Sequence, residues 1–351
     1  MNDRTTSPIP EPEPRTPNPE TRSPESGTHN SLPSTRDSQF FISVVTPSFN
    51  QARYIRRNIE SVIEQRIEGV EHIVADGGST DATIEILKQY PHLKWISEKD
   101  RGQADALNKA IAMSRGEWIA WVNSDDYLTP GALARLKEFL DRRSGAQFIF
   151  SNCLYVDENG AEIERIRATY TREGFCHWWR CGVGFVQTGT FFRRALWEKY
   201  GPFDIGLNFS MDYEFWLRFH SDIEFHYLDD YLVAYRLHGE SKTWQGQVNF
   251  AREMARLCRR HWDAQGGWTK WKWRAMLFAA LGQELIFEGI RRWEESRRAE
   301  ALRLFAEGYA RNPIGFFSHP HLCFLLRSLI GESAYKKLRE SYHRFANKAE
   351  R

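Results

Sequence analysis

The chain has 351 residues, 41% of them apolar, which is ample for a packed core and long enough for one large domain or two ordinary ones. Its five cysteines are an odd number, which argues against a disulfide framework and for a reduced, cytoplasmic compartment. The net charge is only +2, but residues 250–351 hold 20 Lys and Arg against 11 Asp and Glu, a local charge of about +9 that an anionic membrane face could meet or that a solvated helical face could carry.

Residues 1–38 contain eight of the fourteen prolines and almost no large apolar side chain, so they predict a disordered tail. The polar start predicts no signal peptide. The most apolar later stretch, "MLFAALGQELIF", is too short to span a membrane and contains Gln283 and Glu284.

Order is expected from "FFISVVTPSFN", an apolar, β-branched strand ended by Pro47. "RYIRRNIESVIEQ" has helical spacing, "EHIVAD" is a strand, and "TDATIEILKQY" is a helix with Asp81 as N-cap. "LKWISE" and "EWIAWVN" are strands on either side of the helix "ADALNKAIAMS". "TPGALARLKEFL" is a helix with Thr129 as N-cap and Pro130 in its first position. Such alternation predicts an α/β fold with a mostly parallel central sheet. Asp157-Glu158-Asn159-Gly160 predicts a hairpin turn, "MDYEFWLRFH" a short amphipathic helix, and "IEFHYLDDYLVAYRLHG" an extended run. From 249 to 351 the pattern is helical and basic. The expected organisation is a tail (1–38), a catalytic domain (39–248) and a helical C-terminal region (249–351).

Three strands end in small or polar residues, and ligands of open parallel sheets bind outside those ends. There is no GxGxxG fingerprint after the first strand and no P-loop, so a dinucleotide site is not expected. The neighbouring carboxylates Asp125 and Asp126 would repel each other unless a cation lay beside them. Mg²⁺ or Mn²⁺, held by one or two carboxylates and substrate phosphates, would relieve that repulsion. A turn is the bland alternative. Cys176, His177 and Cys181 lack the spacing of a zinc site and are read as packing residues.

The blocks "VVTPSFNQARYIRRNIESVIEQ", "DGGSTDAT", "SEKDRGQADALNKAI", "GEWIAWVNSDDYLTPGAL" and "DYEFWLR" together resemble family 2 glycosyltransferases over about residues 40–245. The resemblance implies a GT-A fold, a nucleotide-sugar donor (a UDP-sugar foremost), a divalent metal, Mn²⁺ or Mg²⁺, and inversion at the anomeric carbon. It implies a donor site from Thr46, Pro47, Ser48 and Asn50 on the first loop, Asp76 on the second, and Asp100 and Asp105 on a segment closing over the nucleotide. Asn123-Ser124-Asp125 stands at the family's metal motif, with Asp125 as main ligand and Asn123 serving the donor site through its carbonyl oxygen or a hydrogen bond to the ribose. Asp126 is expected to orient the donor sugar.

Asp212 matches the family's catalytic base, and inverting transfer needs one carboxylate to take the acceptor proton while the diphosphate leaves from the other face. Arg236 and His238 in "YRLHGES" are expected near the diphosphate and metal, with His238 as a further ligand. Trp178, Trp179 and Gln187 lie in an aromatic stretch that either faces a sugar acceptor or packs in the core. A glycan or lipid-linked acceptor is expected, with a peripheral contact to anionic membrane and no nucleic-acid partner. Asn123, together with Gly77 where many relatives carry an acid, keeps a non-catalytic glycan- or nucleotide-binding scaffold as the alternative. A nucleotidyltransferase is disfavoured, because "TPSFNQAR" is not a basic, glycine-rich triphosphate loop.

Overall fold

The computed structural model describes residues 41–175, 184–239, 241–242, 249–250, 252–257 and 267–312, which belong to one compact unit. The tail, Trp178, Trp179 and the Cys176–Cys181 cluster lie outside the described residues, as do the side chains of the basic, tryptophan-rich stretch from 258 to 274.

The first half is a run of short βα units: β1 (Ile42–Ser48), α1 (Ile55–Ile63), β2 (Val70–Asp76), α2 (Thr83–Leu87), β3 (Lys94–Ser97), α3 (Gln103–Met113) and β4 (Trp118–Trp121). β1–β4 pair in parallel in the order β3-β2-β1-β4. All seven residues of β1 are buried, as expected of a strand covered on both faces. Along β4 the side chains alternate, Ile119 and Trp121 entering one core layer and Trp118 and Ala120 the other.

The sheet then becomes mixed. β4 leads into a corner and β5 (Tyr127–Leu128), followed by α4 (Ala132–Asp141) and the hairpin β6 (Phe148–Val156)–β7 (Glu162–Ile166), whose turn is the predicted 157–160. After α5 (Arg172–Phe175) come β8 (Thr190–Arg193), α6 (Arg194–Tyr200), α7 (Met211–Leu217) and β9 (Phe225–Arg236). β8 runs antiparallel to β4 and β6, while the long β9 runs parallel to β6 and antiparallel to β5. Two helices close the described chain: α8 (Gly267–Glu294) and α9 (Arg298–Arg311). They pack antiparallel through glycines, Gly282 lying against Gly308 and Gly289 against Phe305. Among the described residues no helix is long and apolar enough to cross a membrane.

Two capping expectations are corrected. Thr129 does not cap α4: its hydroxyl donates to the Tyr231 carbonyl at 2.7 Å, anchoring β9, and the helix starts after Gly131, which has φ +69°. Asp81 stands one residue before the cap of α2, yet its carboxylate does accept the Thr83 N–H at 3.0 Å.

Candidate active site

Parallel register brings Ser48, Asp76 and Ser97 side by side at the carboxyl edge of the sheet. Above that edge and the end of β4 opens a cleft of about 1320 Å³. Its wall includes Pro47, Ser48, Asp100, Asn123, Asp125, Gln187, Asp212 and His238 from the expected set. Thr46, Asn50, Asp76, Asp105, Asp126 and Arg236 are not on the wall; they support it from behind or beside.

Asp76 is buried and turned inward. It accepts the N–H of Gly78 and Ser79 at 3.0 and 2.8 Å and the hydroxyls of Ser79 and Ser97 at 2.5 and 2.8 Å. Gly78, at φ +84°, lets the chain fold back over that carboxylate. Asn50 clasps the first two loops, its side-chain oxygen accepting the Thr80 N–H at 2.9 Å. Thr46 is fully buried against His72, at 3.0 Å from Nε2. Burial holds that imidazole neutral, down to about 3. Asp105 accepts the Arg101 N–H and pairs with Arg101 and Lys109 on α3. On the wall itself, Asp100 accepts the Gly102 N–H at 2.8 Å and packs over Gly77. A Cβ at Gly77 would come within 2.6 Å of the Asp100 carboxylate, so the second acid common in relatives would both collide with and repel Asp100 here.

The corner 123–126 is held by hydrogen bonds from α1, β9 and its own turn. A tight turn joins the Asp126 N–H to the Asn123 carbonyl at 3.0 Å. From α1, the buried Asn58 amide donates to the Asn123 and Asp126 carbonyls at 2.8 and 3.0 Å. Asn123 spends its amide within the protein. Its oxygen accepts Gln103 Nε2 and Trp121 Nε1 at 2.9 and 2.8 Å, and its nitrogen donates to Gln187 and Asp126 at 3.1 and 3.2 Å. The carbonyl oxygen expected to serve the donor site is therefore already engaged. Asp126 is 1% exposed and accepts from Thr188 Oγ1 at 2.5 Å and from the Arg236 N–H at 2.9 Å, locking the corner to β9. Burial, and then the neighbouring Asp125 charge, push its carboxyl well above the usual range. Arg236 donates to the Asp125 and Glu158 carbonyls and lies over the rings of Tyr54 and Tyr127.

With Arg236 fixed, the chain beyond β9 delivers His238 to Asp125: Nε2 stands 3.0 Å from Oδ2. The imidazole is buried against Tyr54, ring centroids 4.7 Å apart, and its Nδ1 has no hydrogen-bond partner among the described residues. Asp125 and His238 thus converge on one point at the cleft wall. Among the described residues no cluster of three or more His, Cys, Asp or Glu could hold a metal. Two protein ligands with the remaining positions open suit a hard cation completed by substrate oxygens, and would be a poor fit to a closed structural metal site.

Asp212 reaches the same cleft from α7, whose Met211, Tyr213, Phe215 and Trp216 are buried in the core. Desolvation raises its carboxyl to about 6; the Tyr213 and Asp212 backbone N–H groups and the Lys242 ammonium pull the other way, and Glu253 adds to the rise. That places it in the range of a general base near neutral pH. Sequence reasoning passed over Asn58, Gln103, Lys242 and Glu253. Gln103 links Asn123 to Lys242, whose Nζ lies 3.4 Å from its side-chain oxygen. Glu253 had a visible signal, a carboxylate that shares one helical face with the apolar Phe250, Met254 and Leu257.

Residues 43–201 match the family described as "Glycosyl transferase family 2". The chondroitin synthase of Escherichia coli is 26% identical over 213 residues, 58% of this chain and 30% of that protein. A teichuronic acid biosynthesis glycosyltransferase of Bacillus subtilis is 34% identical over 130 residues, 35% of this chain and 51% of that one. This chain therefore spans under a third of the synthase and about half of the Bacillus protein. Among solved structures, S. aureus TarS 1-349 in complex with UDP-GlcNAc superposes with a TM-score of 0.53 at 17% identity, covering 78% of this chain and 92% of that one. At that identity the likeness bears on the fold, which is GT-A. Over residues 43–201 the chain belongs to glycosyl transferase family 2.

Proposed function

We propose that the protein is an inverting glycosyltransferase that moves a sugar from a nucleoside-diphosphate sugar, a UDP-sugar foremost, to a hydroxyl of a glycan or lipid-linked acceptor. The observation that carries this reading is the pairing of two separate acidic centres on one cleft. Asp125 with His238 stands at one wall, and Asp212, raised to about 6, at another. Transfer needs those two jobs done at once. The acceptor oxygen attacks the anomeric carbon, the bond from that carbon to the diphosphate oxygen breaks with its electron pair, and the acceptor proton passes to Asp212. A Mn²⁺ or Mg²⁺ ion at Asp125 and His238 would supply charge neutralisation for the departing diphosphate. The side-chain oxygens of Ser48 and Gln51 are buried at the cleft wall with no partner among the described residues, as groups reserved for a ligand would be. Both sequence relatives are named for polymer-building sugar chemistry, which supports a glycan acceptor. The UDP-GlcNAc held by TarS supports a uridine donor.

A thermal-shift screen of UDP-, GDP- and dTDP-sugars with and without Mn²⁺ tests the donor, because ligand binding stabilises the fold by mass action. A metal-dependent shift with UDP-sugars is expected. No shift with any of them, or no nucleotide release from the donor that binds, would return the scaffold reading to first place.

A further inference from the structure

The buried carboxylate of Glu253 has no part in the reaction described above, yet it makes the densest set of hydrogen bonds to backbone near Asp212. Glu253 belongs to the helical stretch 252–257, beyond the residues that match the family and within the C-terminal helical region. One of its oxygens accepts the Asn208 N–H at 3.0 Å. The other accepts the Phe209 and Ser210 N–H groups at 2.9 and 3.2 Å and the Ser210 hydroxyl at 3.0 Å. Ser210 is the residue from which α7 starts, and Asp212 lies two positions on. The Ser210 side chain makes no cap of its own, so the entry to α7 is held from outside by a single carboxylate.

That carboxylate is itself fixed by the C-terminal helices. Met254, Ala255 and Leu257 share a core layer with Leu281 and Leu285 of α8. Next to Glu253, Arg252 pairs with Glu307 of α9 at 3.2 Å, and Arg311 holds the same Glu307 at 3.0 Å. A continuous chain of contacts therefore runs from α8 and α9 through the 252–257 stretch to the turn that aims Asp212.

We infer that Glu253 is a positioning residue for Asp212, through which the C-terminal helical region sets the geometry of sugar transfer. The inference rests on Asp212 being the base. The charged groups facing Asp212 are Glu253 from this stretch and Lys242 from the loop after β9; Asp100, from the loop after β3, faces Lys242 in turn.

The test uses the full chain with Glu253→Gln, which keeps one oxygen but loses the charge and half of the acceptor capacity. Amide exchange at 208–210 should quicken by roughly tenfold, the factor for about one hydrogen bond. The Asp212 carboxylate, followed by ¹³C NMR and assigned with Asp212→Asn, should titrate at lower pH than in the wild type, because a neighbouring negative charge is gone. UDP affinity in Mn²⁺ should stay within about threefold while nucleotide release from the sugar donor falls roughly ten- to a hundredfold, the scale of a misplaced reacting group. Glu253→Asp, one methylene shorter, should bring the Asp212 midpoint back while exchange at 208–210 stays fast. It also carries the test if the Gln variant fails to fold. Wild-type exchange and an unmoved Asp212 midpoint would overturn the inference. A parallel fall in UDP affinity, melting temperature and rate would also overturn it, since that is the mark of a merely structural cap. If Asp212→Asn transfers sugar at the wild-type rate, the base assignment falls, while the hold on the turn is still read from exchange and titration. If Asp212→Asn is dead and Glu253→Gln is indistinguishable from wild type, the Glu253 inference falls alone.

Discussion

Replacing Asp212 with Asn should make the protein more stable and far less active, with the two effects sharing one cause. Desolvation raises the carboxyl from its ordinary 3.8 to about 6. A carboxylate whose folded pKa is raised binds its proton more readily in the folded state than in the unfolded one, so its contribution to stability is present at low pH and is lost as pH climbs through about 4 to 6. The whole displacement is worth ~3 kcal/mol at neutral pH, at about 1.4 kcal/mol per unit. Asp212 is only partly covered and faces the cleft, so solvent screening reduces this to about 1–2 kcal/mol. The Asn variant carries no such cost and can keep the hydrogen bond that Oδ1 accepts from the Tyr213 N–H at 2.7 Å. At pH 7.5 its melting temperature should exceed that of the wild type by roughly 2–6 °C, the margin shrinking to nothing by about pH 4. Transfer should fall by about 10²–10⁴ with nucleotide affinity within a few-fold, and the wild-type rate should drop below about pH 6 while the residual mutant rate does not. Paired melting curves across pH and initial rates on the same preparations measure all of this. A margin that does not depend on pH would refute the raised carboxyl. A rate near wild type would refute the base and turn attention to Glu214, although that carboxylate is already committed to Arg218 at 2.5 Å.

Asp125→Ala should abolish Mn²⁺-dependent UDP binding, which titration calorimetry with and without the ion would measure; unchanged affinity would remove Asp125 from the metal site. Asn123→Asp, which would restore the acid usual in the family, should instead destabilise by roughly 1–3 kcal/mol, because it turns two donors into acceptors facing Gln187 and the buried Asp126. An unchanged melting temperature would show the network to be slack. Gly77→Ala should displace the Asp100 carboxylate without upsetting the core, so UDP affinity should weaken several-fold while the melting temperature moves by less than about 2 °C; intact affinity would take Asp100 out of the donor site. Binding of the basic C-terminal region to anionic vesicles should be weak and fall with added salt, and equal binding to neutral vesicles would leave it a solvated helical face.

What the sequence disclosed was local and periodic. β1 and β4 were legible because strands buried along their whole length are rich in apolar and β-branched residues, and α1 and α3 because their buried residues recur at helical spacing. The mixed half of the sheet was legible as extended segments but not as pairings. Nothing local in "TFFR" or "LVAYR" says that one strand lies antiparallel between β4 and β6 while the other crosses to reach β5. The candidate site divides the same way. Aspartates at strand ends stand out one by one, but their division between wall and scaffold depends on partners far off in the chain. Asp126 is turned inward by Thr188 and Arg236, and Asp76 partly by Ser97. Asn123 reads as a weakened metal ligand until Gln103, Trp121 and Gln187 are seen around it; the amide then donates to Asp126 while accepting from Trp121, which a carboxylate could not do. Substituting the family acid there would add a charge beside a carboxyl already pushed up by burial and by Asp125. The corner thus carries one carboxylate facing the cleft, Asp125, and on the reading proposed above His238 beside it would supply the metal ligand that a second carboxylate would otherwise provide.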